Sequence, residues 1–341
     1  MTASKTLYLH IGQHKTGTST VQNFFWNNRD RLRSQGIFYP EAGLSGPTHA
    51  NLALSLPSRR DEMQAAMFAK AASDRNGTYA IYRGEPSESL YANLGEQIES
   101  SGCPKVLLSS ECFMEWVEPA TIKRLLDLYC QCEIKVILVL RRQDQWIQSV
   151  FNQVVKDPGL RYAGALEELP QIGMLDYLTT VKRWAEAFGP DALVIKTYAE
   201  TAKYRTGVLG CLAEVIGLPL TEDLDFPSFH ERNVSLRRWQ MDVLQELNRR
   251  DTSLNTFQSA LEAFLKMNEE SHSIAGDTVN CIDYRKARSL YRQYKRDNNK
   301  LSATFMGRSH LFNPPTRKEY PKPTLINSVT IADFLTRLKT D

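Results

Sequence analysis

Nowhere in the 341 residues does an apolar run approach the roughly 18 to 20 residues that a membrane-spanning helix needs. The opening stretch, Met1–Lys5, lacks the basic, apolar and small-residue succession of a secretory signal and leads straight into a strand-like segment. A cytoplasmic location is the expectation. Cysteine is sparse: Cys103, Cys112, Cys130, Cys132, Cys211 and Cys281 are scattered, the Cys130/Cys132 spacing is wrong for a zinc knuckle, and no paired His/Cys group answers it. These are expected to be reduced structural thiols, with no metal. An excess of one charge is also missing. With 42 Lys and Arg against 39 Asp and Glu, a net charge of +3 is too small to argue for nucleic acid or a membrane surface. It leaves room for a local basic pocket for an anion. Repeats and low-complexity tracts are absent.

Short aliphatic runs are present, each followed by a segment of helical period. Thr6–Ile11, Ile37–Tyr39, Lys105–Ser109, Ile134–Leu140 and Ala192–Thr197 read as strands. Residues 18–33, 119–130 and 143–156 read as the helices between them. Near-continuous apolar strands alternating with helices predict an α/β fold, a parallel sheet of about five strands covered on both faces. Beyond residue 203 the pattern turns helical, over 203–216, 234–249, 256–268 and 283–300. Pro314, Pro315, Pro321 and Pro323 then mark an irregular tail before a short helix near 329–339. The expected organisation is one domain over 1–341, with a nucleotide-binding core in 1–200 and a mainly helical extension in 201–341 that completes the site.

The first strand runs into Gly12-Gln13-His14-Lys15-Thr16-Gly17-Thr18-Ser19-Thr20 and then a helix. In that context backbone N–H groups and the helix start make an anion site. Gly17 permits the tight turn, and Thr18, Ser19 and Thr20 offer hydroxyls. Gly12 and Gly17 satisfy half of a Walker A loop, but Thr18 stands where a kinase has lysine. The lysine instead precedes the second glycine by two positions. This order, Lys15-Thr16-Gly17-Thr18-Ser19, resembles the 5′-phosphosulfate loop of sulfotransferases that use 3′-phosphoadenosine 5′-phosphosulfate (PAPS) and release 3′-phosphoadenosine 5′-phosphate (PAP). The bland alternative is a Gly/Thr-rich turn with an incidental lysine.

The resemblance implies the P-loop sulfotransferase fold, PAPS as co-substrate and phosphate contacts from Lys15, Thr16, Gly17, Thr18 and Ser19. Thr20 is a further candidate, as is His14, which stands where the family often has proline. The lower charge of a sulfuryl group calls for no metal. The resemblance also implies a 3′-phosphate site made by an arginine at the end of a buried strand and a serine eight positions later. Arg141 and Ser149 match it, and the guanidinium fork suits a phosphate. The family pattern has Asn-Pro or Asp-Pro after the arginine. Here Arg142-Gln143 follows, which leaves Arg142 a competitor for the ligand role. Weaker likenesses run through Leu175-Asp176-Tyr177, Trp184, Lys196 to Glu200, Arg232 to Leu236 and Phe305-Met306-Gly307-Arg308. The Arg-Lys-Gly loop that closes over the nucleotide in small-molecule sulfotransferases is not evident, and Arg308 is the candidate substitute.

For the catalytic base the resemblance points to Glu111, after the third strand, with an expected raised pKa from partial burial; a solvated loop carboxylate is the alternative. Lys15 would stabilise charge on the leaving oxygen. His14 and His49 are further candidates, although a lone histidine is more often structural or exposed. The resemblance leans toward bacterial enzymes that sulfate a glycan or glycolipid. Lys156, Arg161 and Tyr162, with Arg59, Arg60, Tyr79, Tyr82 and Arg83, could line an acceptor site or simply be solvated. Two other readings compete: an ATP- and Mg²⁺-dependent P-loop kinase with a deviant loop, and a catalytically silent nucleotide-binding module.

Overall fold

The computed structural model of the protein describes residues 5–56, 84–169, 175–226, 235–270 and 279–321. Five strands, β1 (Thr6–Gly12), β2 (Ile37–Phe38), β3 (Lys105–Ser109), β4 (Glu133–Leu140) and β5 (Leu193–Thr197), form one sheet in the order β2-β3-β1-β4-β5. Every pairing is parallel. The reason lies in the side chains. Leu7, Leu9, Ile11, Val106, Leu108, Val136, Leu138 and Leu140 pack on one face against helices that include Ser87–Ser100, Pro119–Tyr129 and Tyr177–Phe188. Leu107, Ile137 and Val139 point the other way, into the helices Thr18–Asn27 and Val208–Ile216. A strand buried on both faces has no polar side to show, so its sequence reads as an unbroken apolar run.

The α/β expectation therefore holds, strand by strand. The helices of the later chain sit at Val208–Ile216, Arg238–Arg249, Leu254–Glu270 and Tyr284–Met306. The last three share a third apolar cluster with Trp146, Ile147 and Phe151, from the helix Gln143–Lys156 that follows β4. The expected helix near 329–339, and Arg59, Arg60, Tyr79, Tyr82, Arg83 and Arg232, lie outside the described residues. None of the six cysteines is in a disulfide. Among the described residues no helix is long and apolar enough to cross a membrane.

The winding reverses about β1. The chain leaves it for β2 and β3 on one side and then crosses to β4 and β5 on the other. In open parallel sheets a ligand crevice forms outside the carboxyl ends of strands at such a reversal. The loops after β1, β3 and β4 meet there.

Candidate active site

The crevice is a cleft of about 930 Å³, walled by Lys15, Gly17, Thr18, Glu111, Arg141 and Ser149, among others. Its floor begins where β1 ends. Gly12 has φ +74°, and a Cβ there would lie 3.0 Å from Thr18 Cγ2 and 3.1 Å from Glu111 Cβ. The loop therefore folds back on itself and on the residue that follows β3. Gly17, with φ +88°, precedes the helix Thr18–Asn27, and a Cβ there would meet Val208 Cγ1 at 2.6 Å. Both turns need glycine. Lys15 itself has φ 65°, a left-handed conformation uncommon for a side-chain-bearing residue.

The loop residues divide by direction. Gly17, Thr18 and Ser19 line the cleft, as do His14 and Lys15. Thr16 is fully buried and its hydroxyl donates to Gln13 O at 2.6 Å, so it closes the turn and does not reach the cleft. Thr20 is not among the lining residues either. Lys15 Nζ donates to Gln153 Oε1 from the helix Gln143–Lys156. Burial, and then the Arg141 guanidinium, hold the Lys15 ammonium below its ordinary pKa, while Glu111 pulls the other way.

Arg141 leaves the end of β4 and is fixed by its surroundings. Its Nη1 donates to Lys15 O at 3.0 Å, its amide donates to Gln13 Oε1 at 3.1 Å, and its carbonyl accepts from Tyr177 Oη at 2.6 Å. The guanidinium lies 4.8 Å over the Tyr198 ring. One donor, Nε, is buried and has no hydrogen-bond partner among the described residues. A buried orphan donor is costly, and this one belongs to a cation whose side chain reaches the cleft. Ser149, two turns along the following helix, lines the same cleft. Arg142 is engaged elsewhere. Its Nε and Nη2 clamp Asp144 at 2.7 and 3.0 Å, and Nη2 also reaches Glu319 at 2.9 Å. Burial of this pair is offset by the fork geometry, and its work is to hold the 313–320 segment, including Tyr320, whose hydroxyl donates to Asp144.

Glu111 stands at the start of the short helix Cys112–Trp116, with its side chain about a fifth exposed. Gln22 Nε2 donates to Oε2 at 2.8 Å, and His14 Nδ1 lies 3.6 Å from Oε1. The expected upward pKa shift is overturned. Burial does push the carboxyl up, but His14, Gln22 and its own backbone N–H outweigh it and hold the group below its ordinary value. Glu111 is therefore an ionised carboxylate at neutral pH.

Besides Thr16 and Thr20, two further candidates are not brought to the cleft. His49 is fully buried, its Nδ1 accepts from Ser109 N–H at 3.2 Å and its Nε2–H donates to Pro40 O at 2.9 Å. With both nitrogens engaged, and burial lowering its pKa to about 4, it holds the loop before Ala50–Leu54 against β3. Arg308 pairs with Glu200 at 2.7 Å and is not among the cleft-lining residues. Of the residues weighed for an acceptor, Lys156 lines the cleft, where burial and then Lys15 lower its pKa to about 8. Arg161 instead packs 5.2 Å over the Phe257 ring, and Tyr162 Oη donates to Ala165 O at 3.1 Å. Gln153 carries no sequence signal, and Gln13, Tyr177 and Tyr198 lie in segments whose likeness assigns them no role. Each matters through a partner remote in the chain.

No protein-family model matches the chain. An uncharacterized protein of Archaeoglobus fulgidus is 26% identical over 114 residues, which are 33% of this chain. The matched stretch spans only 30% of that relative's length. Among solved structures, a sulfotransferase from Alicyclobacillus acidocaldarius is 18% identical with a TM-score of 0.40, over 74% of this chain and 98% of that one. The sulfotransferase domain of the Synechococcus PCC 7002 olefin synthase is 11% identical with a TM-score of 0.36, over 80% of this chain and 98% of that one. Both similarities are too distant to assign an activity.

Proposed function

We propose that the protein is a sulfotransferase that moves a sulfuryl group from PAPS to an acceptor hydroxyl or amine, releasing PAP. The observation that carries this reading is the convergence on one cleft of two cation-bearing segments remote in sequence, the Lys15–Ser19 loop after β1 and the Arg141/Ser149 pair after β4. A donor with phosphates at both 5′ and 3′ positions needs two such sites, and ATP has no 3′-phosphate to occupy the second. The orphaned Arg141 Nε supports the fit, because it is a buried donor in want of an acceptor.

In this reading Gly17, Thr18 and Ser19 hold the 5′ end through backbone N–H groups and hydroxyls, and Arg141 with Ser149 holds the 3′-phosphate. His14 lines the pocket beside Glu111. PAPS supplies the activated sulfuryl group. The acceptor oxygen forms a new bond to sulfur as the bond to the bridging phosphate oxygen breaks, and that electron pair leaves on PAP. Lys15 stabilises the charge arriving there. Glu111, already ionised, takes the acceptor proton, and His14 and Gln22 keep its carboxylate in one orientation. The acceptor class we favour is a glycan or glycolipid, and the location cytoplasmic. Incubation with ³⁵S-labelled PAPS and a panel of polysaccharides and glycolipids tests the reaction. Label should pass to an acceptor with equal release of PAP. Transfer of ³²P from γ-labelled ATP to the same panel would establish the kinase alternative instead.

A further inference from the structure

The helix Tyr284–Met306 holds seven Lys and Arg residues against the single acid Asp297, in a chain whose total is only +3. Ala287, Leu290, Tyr291, Asn298 and Leu301 form its buried edge. The 3.6-residue period then sets Arg285, Arg292 and Arg296 on the opposite ridge, with Arg288 and Lys295 along one flank. All five are exposed. Lys286 approaches Glu167 at 3.8 Å, but among the described residues no carboxylate pairs with any of the five or with Lys300. Exposed helices of ordinary proteins intersperse acids at i+4. This one leaves its charge unanswered.

The flank that carries Arg288 leads to the cleft. Arg288 Nη1 donates to Tyr284 Oη at 3.3 Å, and the Arg317 guanidinium lies 5.3 Å over the same ring. Arg317 and Lys318 are exposed, and the next two residues, Glu319 and Tyr320, line the cleft. Asn280, also at the cleft, donates to Glu319 O at 2.7 Å and ties this lip to the start of the helix. A cationic track thus runs over the lip and along the helix. From Arg288 to Arg296 it extends about 12 Å along the helix.

We infer that this track, Arg288, Arg292, Lys295 and Arg296 continued over Arg317 and Lys318, holds the acidic polysaccharide chain whose reacting unit enters the cleft. The role of the cleft rests on the sulfotransferase reading; the binding of the polyanion does not. Single exposed cations attract weakly and are screened by salt. A polymer whose charges are tethered engages them together, so the second and later contacts cost little. The large exposed hydrophobics among the described residues are Leu128, Leu254, Met267 and Val279, none on this helix, so the track offers nothing to insert into a bilayer. Tyr284 is covered by Arg317, Tyr291 is buried and Tyr294 packs half-buried on the apolar cluster, so among the described residues this helix presents no fully exposed ring on which nucleic-acid bases could stack.

The test is fluorescence anisotropy of the full chain with fluorescein-labelled chondroitin sulfate, beside neutral dextran, a DNA duplex and phosphatidylglycerol vesicles. Binding should favour chondroitin sulfate and fade as NaCl rises from about 50 to about 500 mM. The triple variant Arg288→Glu/Arg292→Glu/Lys295→Glu should bind it about tenfold more weakly or worse, with its PAP-induced thermal shift intact. Unchanged affinity in that variant, or tighter binding of DNA or vesicles than of chondroitin sulfate, overturns the proposal. Polyanion binding that obeys these rules in a protein indifferent to PAP would instead retain the track and discard the sulfotransferase reading.

Discussion

Burial works against the charged form of both Glu111 and Lys15, and their neighbours decide the outcome at each. Burial raises a carboxyl pKa and lowers an ammonium pKa. At Glu111 the nearby His14 and the Gln22 hydrogen bond reverse that tendency, so the side chain stays charged and can receive a proton. At Lys15 burial and Arg141 weaken the hold on the proton, an electrostatic strain that an arriving anion would relieve. Replacing Glu111 by Gln keeps the shape and removes the base of the proposed reaction. Turnover should fall by about 10² to 10⁴ with PAP affinity nearly unchanged. Lys15→Ala should lower both. Because the Glu111 carboxyl titrates below its ordinary range, the wild-type rate should hold as pH drops through mildly acidic values and fall only beneath that range. A Glu111→Gln protein that turns over at the wild-type rate refutes the assignment.

At the scale of elements, β4 and the helix Gln143–Lys156 form one working unit with the loop after β1. The two adjacent arginines at their junction have different tasks, and affinity should separate them. In the proposed reading Arg141→Ala removes the charged partner of the 3′-phosphate, worth about 1.5 to 3 kcal/mol. It should weaken PAP strongly and adenosine 5′-phosphosulfate, which lacks that phosphate, far less. Calorimetry with both ligands reads the difference; equal losses would make Arg141 structural. Its neighbour Arg142 is bound to Asp144 and Glu319, so its loss should show as lowered stability. That distinction was closed to sequence reading, because Glu319 lies 177 positions away. The strands were legible because a doubly buried strand is apolar at nearly every position. The helix Ser87–Ser100 was not marked, although Leu90, Tyr91, Leu94 and Ile98 give it a helical stripe that burial confirms. The loop after β1 was legible because its glycines and lysine are consecutive. Lys15 meeting Gln153, and Arg141 meeting Tyr198, depend on the sheet order that brings β1, β4 and β5 side by side.

Across the whole molecule, two histidines set a limit on acid stability. His10 and His49 are fully buried, and burial lowers both to about pKa 4. In the unfolded chain they would titrate near the ordinary 6.5, so between those values the unfolded state binds more protons. Stability must then rise with pH across that window, and fall as the solution is acidified from about 6.5 toward 4. Urea titrations from pH 7 to 4.5 should show a loss of a few kcal/mol. Histidine 49 also anchors Pro40 and Ser109, so His49→Ala should destabilise at neutral pH while shrinking the acid-dependent part. Stability flat across this range would show that neither ring is held neutral by burial.

The fold places a lysine-bearing loop and a strand-end arginine around one cleft, and the account stands or falls on a ligand that needs both. Thermal unfolding with PAP, set against ATP with Mg²⁺ under the same conditions, asks this most directly. PAP at about 100 times its Kd should add roughly 2.7 kcal/mol of stability, and ATP with Mg²⁺ much less. An equal shift with ATP and Mg²⁺, or no shift with PAP, would contradict the sulfotransferase reading.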